Sequence, residues 1–467
     1  MIVFGPTVVL SRVRGGGGNS ASGCILRGAG GGIPLEHGAR YGAVAGPRAE
    51  DTVRTRRAKR NVVVVGAGLA GLACARDLAG AGLEVQVLEA GDAVGGRVRT
   101  DRVDGYLIDR GFQVFNTAYP QVRARMDLRS LKLSPFTPGV VTHTGEGRTR
   151  RLVDPSRRPR EARHLPDAGL SPRDLAALGA LSARDACLPA ALLRRAGAAR
   201  TTRAALRGAG FSDRFVEEFF RPFLSGVFLE DELETSGRVF HLVWRSMLRG
   251  TLCLPAEGIG AVPRQLADGL PPGSVRLETA VTALTADGVH TTRYGELPAA
   301  AVVVATGPGA AGRLLEDVGT PPYRTVTTFY HAAPDLRGHG PDLVTDTARR
   351  FLNSCVLSEV SPGYAPAGSS LVATSVLGTG GPAGSGKALL GTLAEVYRTP
   401  TEGWAEVAVR TVQEALPAMT GAWPLSRTTR AGGRRYVCGD HRATGSVQGA
   451  LASGARAARE VLADLDR

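Results

Sequence analysis

The chain has 467 residues, 43% of them hydrophobic and 21% charged, which is enough for two or three domains built around an ordinary buried core. Its net charge is +14, yet residues 1–60 alone hold half of that, with nine Arg and Lys59 against Glu36, Glu50 and Asp51, so the remainder is only mildly basic. The arginines are not interleaved with aromatic residues or set on a reading motif, which argues against nucleic-acid binding.

Six cysteines at 24, 74, 187, 253, 355 and 438 form no CxxC pair and no metal-ligand spacing, so the expectation is a reduced, cytoplasmic protein with no metal. No run reaches the roughly 18–20 apolar residues of a membrane span. The apolar opening MIVFGPTVVL has no basic residue ahead of it and no clear cleavage site behind it, unlike a secretory signal. Residues 11–60 are rich in Gly and Arg without periodicity and cannot offset their ordering entropy. Residues 1–60 therefore read as a disordered extension or an upstream start-site artefact, and the fold is expected to begin near Asn61.

From Asn61 the pattern sharpens. NVVVV has the β-branched, wholly apolar composition of a central parallel strand. Gly66-Ala67-Gly68-Leu69-Ala70-Gly71 follows at once, and LAGLACARDLAGAG has helical spacing up to a Gly stop. Gly66 permits the tight turn, Gly68 lets a pyrophosphate approach, and Gly71 lets the helix pack close, while the free N–H groups of its first turn, from Leu69 and Ala70 onward, face the phosphates. LEVQVLEA supplies a second strand ending in Glu89, 21 residues after Gly68, where a carboxylate can hold both ribose hydroxyls and disfavours a 2′-phosphate. The pattern predicts a Rossmann-type α/β fold binding an adenine dinucleotide.

The next block, EAGDAVGGRVRT, adds Gly95-Gly96-Arg97, which can bring backbone and a guanidinium to the pyrophosphate. Here the chain resembles the flavin-containing amine oxidase superfamily, which includes monoamine oxidases, protoporphyrinogen oxidases and carotenoid desaturases. The resemblance continues through GYLIDRGFQVF, where Gly111, Phe112 and Gln113 would pass the flavin, and it implies FAD. LPAEGIGAVPRQLADGL precedes VRLETAVTALTADG and AAVVVATGP, two strand-like runs that look like the superfamily's returning adenine-side unit, with Val281 at the adenine. RYVCGDHRATGSVQGALASGARAAREVLADL looks like its closing strand, turn and final helix. Gly439 and Asp440 would lie along the ribityl and phosphate groups, and Gly445, Ser446 and Val447 would open the helix at the flavin's N1 and C2 carbonyl edge.

The resemblance implies a discontinuous FAD-binding domain, residues 61–128, 250–318 and 430–467, and an α+β substrate domain, residues 129–249 and 319–429. In the first insert, aromatic and aliphatic residues at helical spacing predict two helices broken near Ser225-Gly226. Phe219, Phe220, Phe223 and Trp244 are either helical core or an apolar cavity wall, and Glu217, Glu218 and Arg221 fit a solvated face with an ion pair. Seven arginines between 148 and 163 suggest an exposed loop, or peripheral docking on an anionic membrane.

Catalytic residues are the least legible. Amine oxidases commonly carry a lysine that holds a water at flavin N5, but the corresponding YRTVTTFYHAAPDL has none, with Arg324, Thr325, Thr327 and Thr328 instead. No cysteine stands where a covalent flavin link is expected, so FAD is read as non-covalent and Cys438 as a small buried residue. Trp423 and Tyr436 are candidates for an aromatic pair around an amine; His441 is a weak catalytic candidate and His331 a weaker one. The resulting expectation is a FAD-dependent oxidoreductase taking a hydride from a largely apolar, lipophilic small molecule, with desaturation of a carbon skeleton first and oxidation of a CH–NH bond second. A non-catalytic FAD-binding scaffold is the alternative from another class.

Overall fold

The computed structural model describes residues 61–161, 169–195, 200–334, 336–379 and 386–466. Residues 1–60, read above as an extension, lie outside them.

Asn61–Val65 is apolar throughout because both of its faces are covered, and Val62, Val63 and Val64 have no exposed surface. It pairs in parallel with Glu84–Leu88 on one side and Ala301–Val304 on the other. Val275–Arg276 joins outside Glu84–Leu88, and Arg435–Val437 outside Ala301–Val304, to give an all-parallel sheet of five strands. In such a sheet, ligands bind at the carboxyl ends of the strands, where the chain enters its helices. The helix Leu69–Gly80 follows the first strand and packs on the last helix, Val447–Leu465, so closely that a Cβ on Gly454 would lie 2.1 Å from the Ala70 carbonyl oxygen. Both strand-like runs expected after residue 270 form strands. Val275–Arg276 and Ala301–Val304 enter the parallel sheet, while Val281–Thr285, the second part of the first run, turns out into an antiparallel meander with Gly288–Thr291 and Gly295–Pro298. Val281–Thr285 shows no alternation of buried and exposed residues and carries exposed Thr282 and Ala283, so it lacks the two-sided cover a central strand needs.

A second sheet has seven strands in the order Ala405–Pro417, Tyr323–Pro334, Ser369–Leu377, Asn353–Val356, Val344–Asp346, Gly139–His143 and Thr149–Val153. Its pairings are antiparallel except between Val344–Asp346 and Gly139–His143. The long central strand Tyr323–Pro334 is lined on both sides by long partners, and its residues from Val326 to His331 are buried.

Helices between Pro172 and Arg249 close over one aromatic core. Phe215 and Phe219 stack at 5.0 Å, Phe220 meets Phe211, Phe240 and Trp244 at 4.8–6.3 Å, and Phe223 meets Trp244 edge-on at 6.5 Å. These rings contact one another as a helical core, and Phe215 and Phe219 also line a cavity with Arg150, Leu152 and Glu218. The two expected helices are present, with the break three residues beyond Gly226: the helix Arg221–Phe228 stops at Leu229, whose φ of +52° is left-handed, and Gly237–Arg249 follows. Gly226 is needed for closeness instead, since a Cβ there would lie 2.9 Å from Asn353 Nδ2. In the arginine-rich segment Arg148, Arg151, Arg157, Arg158 and Arg160 are exposed, as expected, and Arg163 lies outside the described residues. The segment's first part is the edge strand Thr149–Val153, Arg150 pairs with Glu218, Arg151 with Asp342 at 2.6 Å, and Arg157 donates to the Gly250 carbonyl at 2.7 Å.

Candidate active site

The two glycine-rich loops meet face to face, and each glycine has a separate reason. Gly66 has φ of +105°, and a Cβ on it would sit 2.9 Å from the Ala305 carbonyl oxygen; one on Gly71 would sit 2.1 Å from the Gly66 carbonyl oxygen. Gly68 differs, because a Cβ there would meet nothing within 4 Å. The Gly95 N–H donates to the Ala67 carbonyl at 2.8 Å, Gly68 and Gly95 form a parallel bridge, and a Cβ on Gly96 would meet only Gly68 Cα at 3.6 Å. Open space thus lies beside Gly68, with Gly96 against it, at the N-terminus of Leu69–Gly80, whose first N–H groups have no partner within the helix. Leu69 and Ala70 are buried at 5% exposure each, so backbone rather than side chain faces this space.

Glu89 braces the same loop, accepting the Ala67 N–H at 2.7 Å on one oxygen and the Gly91 N–H at 2.9 Å on the other. A carboxylate has about four acceptor positions, so capacity for ribose hydroxyls remains. The chain brings Val281 to this corner by pairing the Thr279 N–H with the Glu89 carbonyl at 2.8 Å.

Arg97 has partners within the chain. Its guanidinium takes both oxygens of Asp440, at 2.9 and 2.7 Å, and also donates to the Ala415 carbonyl at 2.9 Å. Asp440 is 5% exposed, and burial works against its charge; Arg97 outweighs that and holds the carboxyl below its usual range. The Tyr323 hydroxyl donates to the same carboxylate at 3.2 Å. The two groups read as cofactor contacts are bound to one another because a buried carboxylate needs a counter-charge.

Residues 111–113 join these loops to the second sheet. Gly111 has φ of +86° and faces Val412, the Phe112 N–H donates to Thr328 Oγ1 at 3.2 Å, and Gln113 donates to the Arg97 carbonyl at 2.8 Å. Ser446 caps Val447–Leu465 by accepting the Gly449 N–H at 3.0 Å, and Gly445 lies under Leu416 and Pro417. The Gly66–Gly71 turn, Gly95–Arg97, Gly111–Gln113 and Gly439–Asp440 are therefore linked by direct contacts, and Leu416 and Pro417 carry that linkage on to the start of the last helix.

Thr328 stands at the centre of the strand where a lysine was sought. It is fully buried and shares a 3.0 Å hydrogen bond with Ser375. The only lysines among the described residues, Lys132 and Lys387, are exposed elsewhere. Sequence reasoning missed Asp109. Its carboxylate accepts from Thr100 Oγ1 at 2.5 Å, Tyr364 at 2.9 Å and the Ile259 N–H at 3.0 Å, and burial pushes it up to about 6. Tyr330 donates to the Asp109 carbonyl at 2.7 Å. The aspartate was visible beside Gly111, but nothing local reveals that Tyr330 and Tyr364 converge on it.

The weaker candidates separate. The His441 ring occupies the place of a Gly439 Cβ, 2.6 Å from Nδ1 and Cε1; burial lowers it to about 4, and Nε2 has no partner. His331 points to the opposite face of its strand from Thr328, towards Trp404 at 6.4 Å, and burial lowers it to about 4 as well. Trp423 donates to the Ala443 carbonyl at 2.7 Å and Tyr436 to Asp464 at 2.8 Å, each in a different core, so they form no cage. Cys438 is fully buried, and burial pushes its thiol up to about 12. No described helix is long and apolar enough to cross a membrane.

Known proteins share this arrangement. Over 78 residues the chain is 46% identical to an L-amino-acid oxidase of Crotalus adamanteus, and over 69 residues 48% identical to a putrescine oxidase of Kocuria rosea. These stretches are 17% and 15% of this chain, and span only 15% and 14% of those relatives' own lengths. Among solved structures, cyclohexylamine oxidase from Brevibacterium oxydans superposes with a TM-score of 0.63 at 18% identity, over 87% of this chain and 99% of its own. A putative protoporphyrinogen oxidase from Exiguobacterium gives 0.59 at 15%, over 87% and 98%. At those identities the superpositions establish the fold, a mixed α/β architecture shared with amine oxidases. The family described as flavin containing amine oxidoreductase matches residues 69–462, most of the chain and nearly all of the part described above. The chain belongs to that family of FAD-dependent oxidoreductases.

Proposed function

We propose that this protein oxidises a small, largely apolar molecule, desaturating a carbon skeleton: a hydride leaves one carbon for the bound flavin and a proton leaves the adjacent carbon to solvent. The observation that carries the cofactor half is the open space beside Gly68, where a side chain would meet nothing within 4 Å and Gly96 packs against the Gly68 backbone. That space suits a pyrophosphate approached by backbone N–H groups at a helix N-terminus. FAD, when bound, supplies the hydride acceptor. The chain's own parts are assigned as follows: Gly66–Gly71 and Gly95–Gly96 hold the phosphates, Glu89 the ribose, and Val281 the adenine. Gly439 and the Arg97–Asp440 pair support the middle of the cofactor. The start of Val447–Leu465 offers a partial positive charge of about half a unit, which favours the negative charge that arrives with the hydride. Residues 61–128, 250–318 and 430–467 are proposed as the FAD domain, and 129–249 with 319–429 as the substrate domain. No proton acceptor is assigned to His441 or His331, and orientation with exclusion of water is the protein's main contribution.

Thr328, neutral and buried, supports a substrate without an amine, since the strand face next to Phe112 carries no lysine. A second reading, oxidation of a CH–NH bond, is favoured by the names of the L-amino-acid oxidase and putrescine oxidase relatives. A cytoplasmic location fits five described cysteines that are all free thiols. Peripheral docking through the 148–163 arginines loses support because several of them are paired.

Anaerobic mixing of the purified yellow protein with isoprenoid-type substrates and with amines, followed at the flavin band, tests both readings. Bleaching by the isoprenoids supports the first, and bleaching by amines alone replaces it with the second. Reduction by dithionite with no response to any substrate would leave a scaffold, and a colourless protein that takes up no FAD would remove the cofactor assignment.

A further inference from the structure

Some arginines of the cofactor region have a carboxylate partner, as Arg97 has Asp440 and Arg430 has Asp464. Others do not, and three of these are close neighbours. Arg427, Arg442 and Arg456 lie together on the segment after Trp423, on the turn that carries His441, and on the last helix, and none forms an ion pair. Arg442 donates to the Thr428 carbonyl at 2.6 Å and Arg456 to the Arg427 carbonyl at 2.8 Å. The Arg427 guanidinium donates to no protein acceptor and lies 4.8 Å over the Trp423 ring. The Nε atoms of Arg427 and Arg442 and the Nε2 atom of the 1%-exposed His441 are buried without partners.

The neighbouring carboxylates are already engaged. Glu460 accepts from Thr429 Oγ1 at 2.6 Å and the Thr429 N–H at 3.1 Å, and Asp440 is held by Arg97. Burial, then the like charges of Arg427 and Arg456, pull Arg442 below its usual value. Three guanidiniums with spare donors, opposed only by the charge of Glu460 and with no ion pair of their own, call for a multiply charged oxyanion, because planar N–H forks match phosphate oxygens in pairs. The cluster is separate from the glycine cradle. Gly454 of the last helix faces Ala70 of the fingerprint helix, whereas Arg456, two residues on, projects from another side.

We propose that Arg427, Arg442 and Arg456 form a second anion site, for a phosphate group, on the outer side of the turn that carries Asp440 and His441. The group could arrive as inorganic phosphate or on a small phosphomonoester, and both are tested. The experiment uses FAD-loaded protein, so that the cofactor's own phosphates fill the cradle. Thermal unfolding and calorimetric titration compare inorganic phosphate and glycerol 3-phosphate with chloride at matched ionic strength and pH. At saturating ligand the expected rise in Tm over chloride is roughly 1–3 °C, with one site per chain. Arg442→Gln and Arg427→Gln are expected to lose it, while Arg264→Gln, an exposed arginine elsewhere, keeps it. Arg442→Gln removes a bond to Thr428, so if it fails to fold, Arg427→Gln decides, since its guanidinium holds no protein acceptor. A larger shift with glycerol 3-phosphate identifies a phosphomonoester as the source, and an equal or larger one with inorganic phosphate identifies the free ion. No gain over chloride with either, or a gain that survives in Arg427→Gln, overturns the site.

Discussion

The glycine cradle and the strand face opposite it are built on different rules. In the cradle, local backbone demands choose the residue: Gly71 must lack a Cβ because the Gly66 carbonyl is 2.1 Å from where it would be. On the strand face, Thr328, Tyr330 and their partners Phe112 and Asp109 are brought together from positions about 220 residues apart, and each is an ordinary residue type for a buried strand. A site made of one contiguous motif announces itself, and a site made by pairing distant strands does not.

The sharpest way to break this contrast lies inside the cradle. Gly71→Val should abolish folding, at a cost above ~4 kcal/mol, seen as loss of soluble protein. Gly68→Ala should leave the flavin-free protein within ~0.5 kcal/mol of wild type yet weaken FAD binding about tenfold or more, since its methyl group enters the space assigned to pyrophosphate. Unchanged FAD affinity in Gly68→Ala would remove that assignment. Next in size, Phe220→Ala in the helical core should cost ~3–5 kcal/mol by denaturant titration without altering which substrates bleach the flavin. A changed substrate profile would restore the cavity-wall reading.

Asp440→Asn leaves Arg97 facing a neutral group and should cost ~3 kcal/mol, with a lower flavin content in the purified protein. Titration offers a test with two signs. Asp109 is raised from 3.8 to about 6, so the folded state holds its proton more tightly; that stabilisation is complete below about pH 4 and is lost as pH rises through 6. His331 and His441 are lowered from 6.5 to about 4, so their contribution is present above pH 6.5 and is lost as pH falls through 4. Each is worth at most ~3 kcal/mol. Between pH 4 and 6.5, Asp109→Asn should therefore steepen the loss of stability on acidification, whereas His331→Gln should flatten it, as read from urea midpoints. The smallest effect belongs to Thr328→Val, ~1 kcal/mol from the lost acceptor for the Phe112 N–H, with a change in the rate of flavin reduction larger than in its stability.

Several residues have partners that their own neighbourhood does not reveal. The helix through Ser225-Gly226 runs on to Phe228 before the break, and Gly226 serves contact with Asn353 across the fold. Arg97, read as a phosphate ligand, also holds Asp440, 343 positions away. Arg150 and Arg151 of the arginine-rich stretch reach Glu218 and Asp342. Trp423 and Tyr436 are buried in separate cores.

By itself, the amino-acid sequence determined the first strand, its glycine turn, the helix after it and the acidic residue at Glu89. Apolar runs, missing side chains and helix periodicity act over a few residues, so their outcome is written locally. Tertiary structure alone decided that Arg97 meets Asp440, that Asp109 is held by Tyr364 and Thr100, that Thr328 lies beside Phe112, and that Arg427, Arg442 and Arg456 come together. Those outcomes depend on which distant elements pack together, and on the charge and hydrogen-bond partners that packing leaves to each buried group.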